Sequence, residues 1–186
     1  MTRALLALGL GLALTTLPVS AEEFDSAYTD LNLDLCLIDR SDDFGSSWAC
    51  PGYKGYPLLV AEGDLRFMLS YGFNARKEPA MGQTLPPFNT LGKKIEWRLT
   101  NREGGWKPFA TIVRYIFDKT EDFPGGEVLV VTQLKEGATC QVAWVDAKAN
   151  ADANELARGA AEDLAGDFDC NDVPRAIGKF EAFDLE

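Results

Sequence analysis

Between residues 48 and 57 the chain carries three aromatic side chains, Trp48, Tyr53 and Tyr56, and one cation, Lys54, on a stretch broken by Pro51, Gly52, Gly55 and Pro57. Proline and glycine at that density exclude a regular element. Aromatic faces held on a restrained loop can stack on a sugar ring or bury themselves in a partner protein, and a lysine beside them adds a charge. The same rings could instead fold inward over the end of a sheet, which is the commoner fate of aromatic side chains. Trp48, Tyr53, Lys54 and Tyr56 are the candidate binding residues, with the acidic residues between Asp39 and Asp43 as their expected rim.

Composition limits the catalytic alternatives. The 186 residues include no histidine, which removes Ser-His-Asp and Cys-His nucleophiles and the common histidine metal sites. No nucleophile elbow, phosphate loop or dinucleotide-binding glycine motif occurs, so nothing calls for a cofactor. Oxygen ligands alternate at Asp39, Ser41 and Asp43 as at the start of a calcium loop. The glycine then falls at 45, not 44, and no glutamate stands at the twelfth position, so a solvated turn is the better reading and no metal is expected. Carboxylates are abundant, and two of them could serve as acid and base in glycoside hydrolysis, but spacing singles out no pair. The reading is a binding protein without catalytic machinery. A carboxylate-based hydrolase acting on cell-wall glycan is the alternative.

The start of the chain reads as an export signal. Met1-Thr2-Arg3 is basic, Ala4 to Thr15 is uncharged and mostly apolar, and Val19 and Ala21 are small residues suited to cleavage after Ala21. The apolar run is too short and too broken for a membrane anchor. The mature chain, residues 22–186, has the size of one domain. With 18 basic and 29 acidic residues the net charge is −11. That balance disfavours nucleic acid and anionic lipid and suits a basic protein as partner, with cell-wall glycan second. Export to the periplasm places Cys36, Cys50, Cys140 and Cys170 in an oxidising compartment, where an even count implies two disulfides. Of the three connectivities, Cys36–Cys50 with Cys140–Cys170 is preferred because each closes a local loop.

A sheet must position these residues. Ala110 to Phe117 is dense in β-branched and aromatic residues and apolar on both alternations, as in a central strand covered on both sides. Strand-like runs at 95–100, 127–134 and 139–147, separated by turn residues, make an antiparallel meander around it. Residues 58–61 and 65–71 read as a hairpin in which Gly63 supplies the positive φ. Leu31, Leu33, Leu35 and Leu37 alternate with polar residues as in a half-buried strand. Residues 22–29 read as a loose lead-in, and 39–47 as a loop. Residues 72–94 form a long loop in which Leu85-Pro86-Pro87-Phe88 should be extended. One helix is expected, Ala151 to Ala165, with Asn150 as N-cap and Gly166 just past its end. Trp97 and Trp144 belong to the core. The expected fold is α+β: a mostly antiparallel, meander- or sandwich-like sheet with one helix from the C-terminal region packed on it.

Cys36, Trp48-x-Cys50-x-Gly52, Gly63-Asp64-Leu65-Arg66, Tyr71-Gly72, Thr84-Leu85-Pro86-Pro87-Phe88-Asn89, Glu96-Trp97-Arg98, Pro108-Phe109-Ala110-Thr111 and Cys140-Gln141-Val142-Ala143 together resemble a family of small exported proteins of Gram-negative bacteria. The resemblance covers most of the mature chain. It implies a periplasmic location and brings no active site with it.

Overall fold

The computed structural model describes residues 23–184 other than 103 and 122; the expected leader, residues 1–21, lies outside them. In chain order the elements are β1 (Phe24–Asp30), β2 (Leu37–Asp42), β3 (Gly45–Pro51), β4 (Pro57–Gly63), β5 (Arg66–Tyr71), β6 (Thr90–Thr100), β7 (Lys107–Phe117), β8 (Gly126–Gln133), β9 (Cys140–Asp146), α1 (Ala153–Leu164) and β10 (Arg175–Ala176). They form a six-stranded sheet in the order β1-β6-β7-β8-β9-β10 and a four-stranded sheet in the order β2-β3-β4-β5. All pairings are antiparallel except β9 with β10. The class is the expected α+β.

Strand β7 explains the layering. Its side chains alternate, so Ala110 and Ile112 join α1 in one core, while Val113, Tyr115 and Phe117 join the smaller sheet in the other. The helix layer is built on small residues, Ala153, Ala157, Ala160 and Ala161, which let α1 lie close on Leu129, Val131 and Val142. The layer between the sheets packs Leu58, Val60, Leu69 and Tyr71 against Ile95, Trp97, Val113, Val128 and Val130. Both expected disulfides are present, Cys36–Cys50 and Cys140–Cys170. No described helix is long and apolar enough to cross a membrane.

Several local expectations change, among them the loop read over 72–94, which ends where β6 starts at Thr90. Residues 24–30, read as a lead-in, are the edge strand β1, paired with β6 from Phe24↔Thr100 to Asp30↔Lys94. The segment has little apolar periodicity, because an edge strand is held mainly by its ladder and here by the Trp97 indole donating to Thr29 Oγ1 at 2.8 Å. The leucine alternation at 31–37 is not a strand. Asn32 accepts from the Asp34 amide at 3.1 Å and starts a short 3-10 turn, Leu33–Leu35, which leaves Leu31 buried and Leu35 and Leu37 exposed. Residues 39–47 are mostly strand, as β2 and β3 form a hairpin. Gly63 does not supply a positive φ. The two-residue turn between β4 and β5 is Asp64 (φ 52°) and Leu65 (φ 59°).

The helix begins two residues later than expected. Asn150 does not cap it but binds Asp146 O at 2.9 Å and Lys179 O at 2.7 Å, tying the turn before α1 to the C-terminal segment. Gly166 (φ 102°) ends α1 as expected.

Two of the five tyrosines are fully enclosed between the sheets. Burial pushes the hydroxyls of Tyr71 and Tyr115 well above the ordinary value of 10. Tyr71 OH lies toward Thr111, but neither oxygen makes a hydrogen bond of good geometry. A phenol whose folded pKa is raised stabilises the fold fully below its unfolded pKa of about 10, and that contribution is lost as pH rises beyond it. Alkaline titration followed at 295 nm should therefore show two tyrosines ionising together with unfolding. Five independent titrations in a protein still folded would contradict this packing.

Candidate functional site

A concavity of about 830 Å³ is a groove at the end of the sandwich where the β4–β5 turn stands. One wall comes from the smaller sheet: Trp48 of β3 stacks on Phe67 of β5, with ring centroids 6.5 Å apart and planes at 18°. The second wall is Pro86, Pro87 and Phe88. The third is the connection after β7, with Asp118, Thr120 and Phe123.

The proline segment is held by side chains standing in for a ladder. Two consecutive prolines offer no amide hydrogens, so they cannot extend a sheet. Asn89, which is buried, substitutes for them. Its Oδ1 accepts from the Phe67 amide at 3.1 Å, its Nδ2 donates to Pro87 O at 2.8 Å, and its own amide donates to Leu65 O at 3.0 Å. Thr84 Oγ1 donates to Phe67 O at 2.7 Å. Leu85 is completely buried, which anchors the segment in the core. The backbone groups that β5 would otherwise present to solvent are thus partly satisfied, and the prolines form a fixed ridge.

Arg66 braces the same wall. Its Nε donates to Pro86 O at 2.9 Å, its guanidinium pairs with Asp64, and it lies 4.7 Å over the Phe88 ring. On the opposite wall the Thr120 amide donates to Phe123 O at 2.8 Å, and the Phe123 ring packs 6.1 Å from Phe117.

The four candidate residues read from the sequence are not brought together here. Trp48 lines the groove. Tyr53 and Tyr56 are half-buried and pack on Trp97 at 6.4 and 5.7 Å, while Lys54 is exposed with its Nζ 5.1 Å over the Tyr53 ring. Desolvation, with Glu78 and Glu136 nearby, holds the Tyr56 hydroxyl above its ordinary pKa. Asp39 is not a rim residue. It accepts from Ser47 Oγ at 2.8 Å and pairs with Arg76, and these bonds hold its carboxyl below the usual range.

Two carboxylates line the groove, Glu62 and Asp118, and Glu62 already accepts from the Leu65 amide at 3.1 Å. Among the described residues no three His, Cys, Asp or Glu side chains are placed to hold a metal ion. Sequence reading missed Leu65, Phe67, Phe88 and Phe123 as a group. One signal was present: a hairpin turn that reads Asp-Leu where Asp-Gly is preferred.

Comparison with family models, with curated proteins and with solved structures gives no match to this chain.

Proposed function

We propose that this chain is an exported, periplasmic binding protein without catalytic machinery, and that it takes its partner at the groove between the Pro86–Phe88 ridge and the wall of Asp118, Thr120 and Phe123. The leader-like start, the two disulfides and the resemblance to small exported proteins support the location. The observation that carries the binding reading is Leu65. It is 62% exposed and holds a left-handed backbone conformation that favours glycine or asparagine. A branched apolar side chain there costs stability twice, through backbone strain and through contact with water. It stands at the mouth of an aromatic groove, where that cost is recovered on binding.

Leu65→Gly tests this directly. It restores the Asp-Gly pair that the turn prefers, so denaturant melts should show a gain of about 0.5–1 kcal/mol, after allowing for the unfolded-state entropy of glycine. The same variant, immobilised and exposed to periplasmic extract, should retain roughly tenfold less of whatever the natural sequence captures. Equal capture by the two proteins would refute the groove as the binding surface.

A further inference from the structure

We infer that the occupant of the groove is an extended segment of a protein that carries apolar side chains flanked by lysine or arginine. This deepens the proposed function and rests on the groove being the binding site.

The first argument is extent. The groove of about 830 Å³ is in the range that encloses a small ligand. Its apolar lining reaches into solvent: Phe88 is 53% exposed, and Leu65 stands at the mouth. Phe44, 90% exposed, sits on the neighbouring β2–β3 tip, where Gly45 pairs with Gly63. A molecule that only filled the cavity would leave Phe44 and the outward parts of Leu65 and Phe88 in water. A peptide lying along the ridge covers the cavity and its surroundings together.

The second argument is charge. Three charged residues line the groove, Glu62, Arg66 and Asp118. Arg66 is already neutralised by Asp64 and turned onto Pro86 O and the Phe88 ring. Asp118 is exposed and makes no ion pair with a described residue. The adjacent tip adds Asp42 and Asp43. Lys119 follows Asp118, and Glu121 offsets it. The field at the mouth is therefore negative, in a chain whose net charge is already −11. Acidic side chains around an apolar slot select cations beside the apolar contacts.

The third argument is preorganisation. Both walls are tied down in the free protein, by Asn89 and Thr84 on one side and by the hydrogen bonds between Thr120 and Phe123 on the other. A fixed slot loses little entropy on binding and suits a partner segment that is itself extended.

The test uses three capped hexapeptides on the mature protein, Lys-Leu-Phe-Pro-Leu-Lys and its Glu-flanked and Ser-flanked versions, with the neutral dye N-phenyl-1-naphthylamine as a separate apolar probe. Binding is read from Trp48 fluorescence, with Trp48→Phe as the blank. The Lys-flanked peptide should bind at least tenfold more tightly than the Glu-flanked one, and the difference should shrink as salt rises from about 0.05 to 0.5 M. Asp118→Asn should weaken the Lys-flanked peptide by about threefold. Equal affinity for the three peptides, displaced together by the dye, would overturn the cationic segment while leaving the groove as a binding site. Dye binding with no peptide bound would do the same. Sedimentation with phosphatidylcholine vesicles would overturn it in favour of a lipid surface. Failure of both peptides and dye to perturb Trp48 would remove the groove reading itself.

Discussion

Trp97→Ala is expected to destabilise the protein by about 3–5 kcal/mol, enough to remove a large fraction of the stability of a domain of this size. Trp97 is completely buried in β6, and three tyrosines surround its ring: Tyr71 and Tyr56 at 5.7 Å and Tyr53 at 6.4 Å. Its indole N–H donates to Thr29, tying β1 to β6 through a side chain as well as the ladder. The loop after Cys50 is shaped around the ring, since a Cβ at Gly52 would lie 2.5 Å from it. Truncation therefore leaves a cavity that the rigid loop cannot close, besides stranding the Thr29 hydroxyl. Urea melts of Trp97→Ala and Trp97→Phe would measure this, with the phenylalanine variant intermediate. A loss under about 1 kcal/mol for alanine would mean that the tyrosines collapse into the space.

Glu96→Leu is expected to cost roughly 3 kcal/mol, because it removes one partner from a buried charge network. Glu96 and Arg98 lie two residues apart on the face of β6 that α1 covers, and both are buried. Glu96 accepts from Ser26 Oγ and from Arg158 Nε, each at 2.6 Å, and holds the Arg158 guanidinium well above its ordinary pKa. Arg98 pairs with Glu162 and donates to Ser26, while its Nε has no partner. Without Glu96, Arg158 loses its main acceptor, and Arg98 keeps only Glu162 as its carboxylate partner. The double change Glu96→Leu with Arg98→Met should lie closer to the natural protein than Glu96→Leu alone, because it removes the buried charge as well as its partner. Melts in which the double variant is the weaker by more than 1 kcal/mol would show that the network stabilises the fold outright.

The strongly patterned parts of the fold were legible. The double alternation of 110–117 placed β7 in the middle of a covered sheet, and the alanine spacing of 153–161 placed α1 upon it. Even cysteine count and local spacing gave both disulfides. What failed was decided by partners remote in sequence. Phe24 to Asp30 lacks apolar periodicity because its strand is defined by β6, not by its own side chains. The leucines at 31–37 alternate, but the Asn32 side chain redirects the backbone before the alternation can be used. The groove was hardest to read. Trp48, Phe67, Phe88 and Phe123 come from four separate segments, and only the two-sheet arrangement brings them together. Tyr53 and Tyr56, close in sequence to Trp48, point to Trp97 instead.

The chain leaves the larger sheet after Asp30 and returns opposite it, where Lys94 binds Asp30 across 64 residues. All four strands of the smaller sheet lie within that excursion. The β2–β5 and β6–β9 hairpins have short connections and can zip locally, whereas closing β1 onto β6 must first draw in the whole excursion. β1 is thus expected to arrive last, and until it does the outer edge of β6 offers unpaired amides and carbonyls to any extended chain. Covering that edge is therefore as much the work of β1 as completing the sheet.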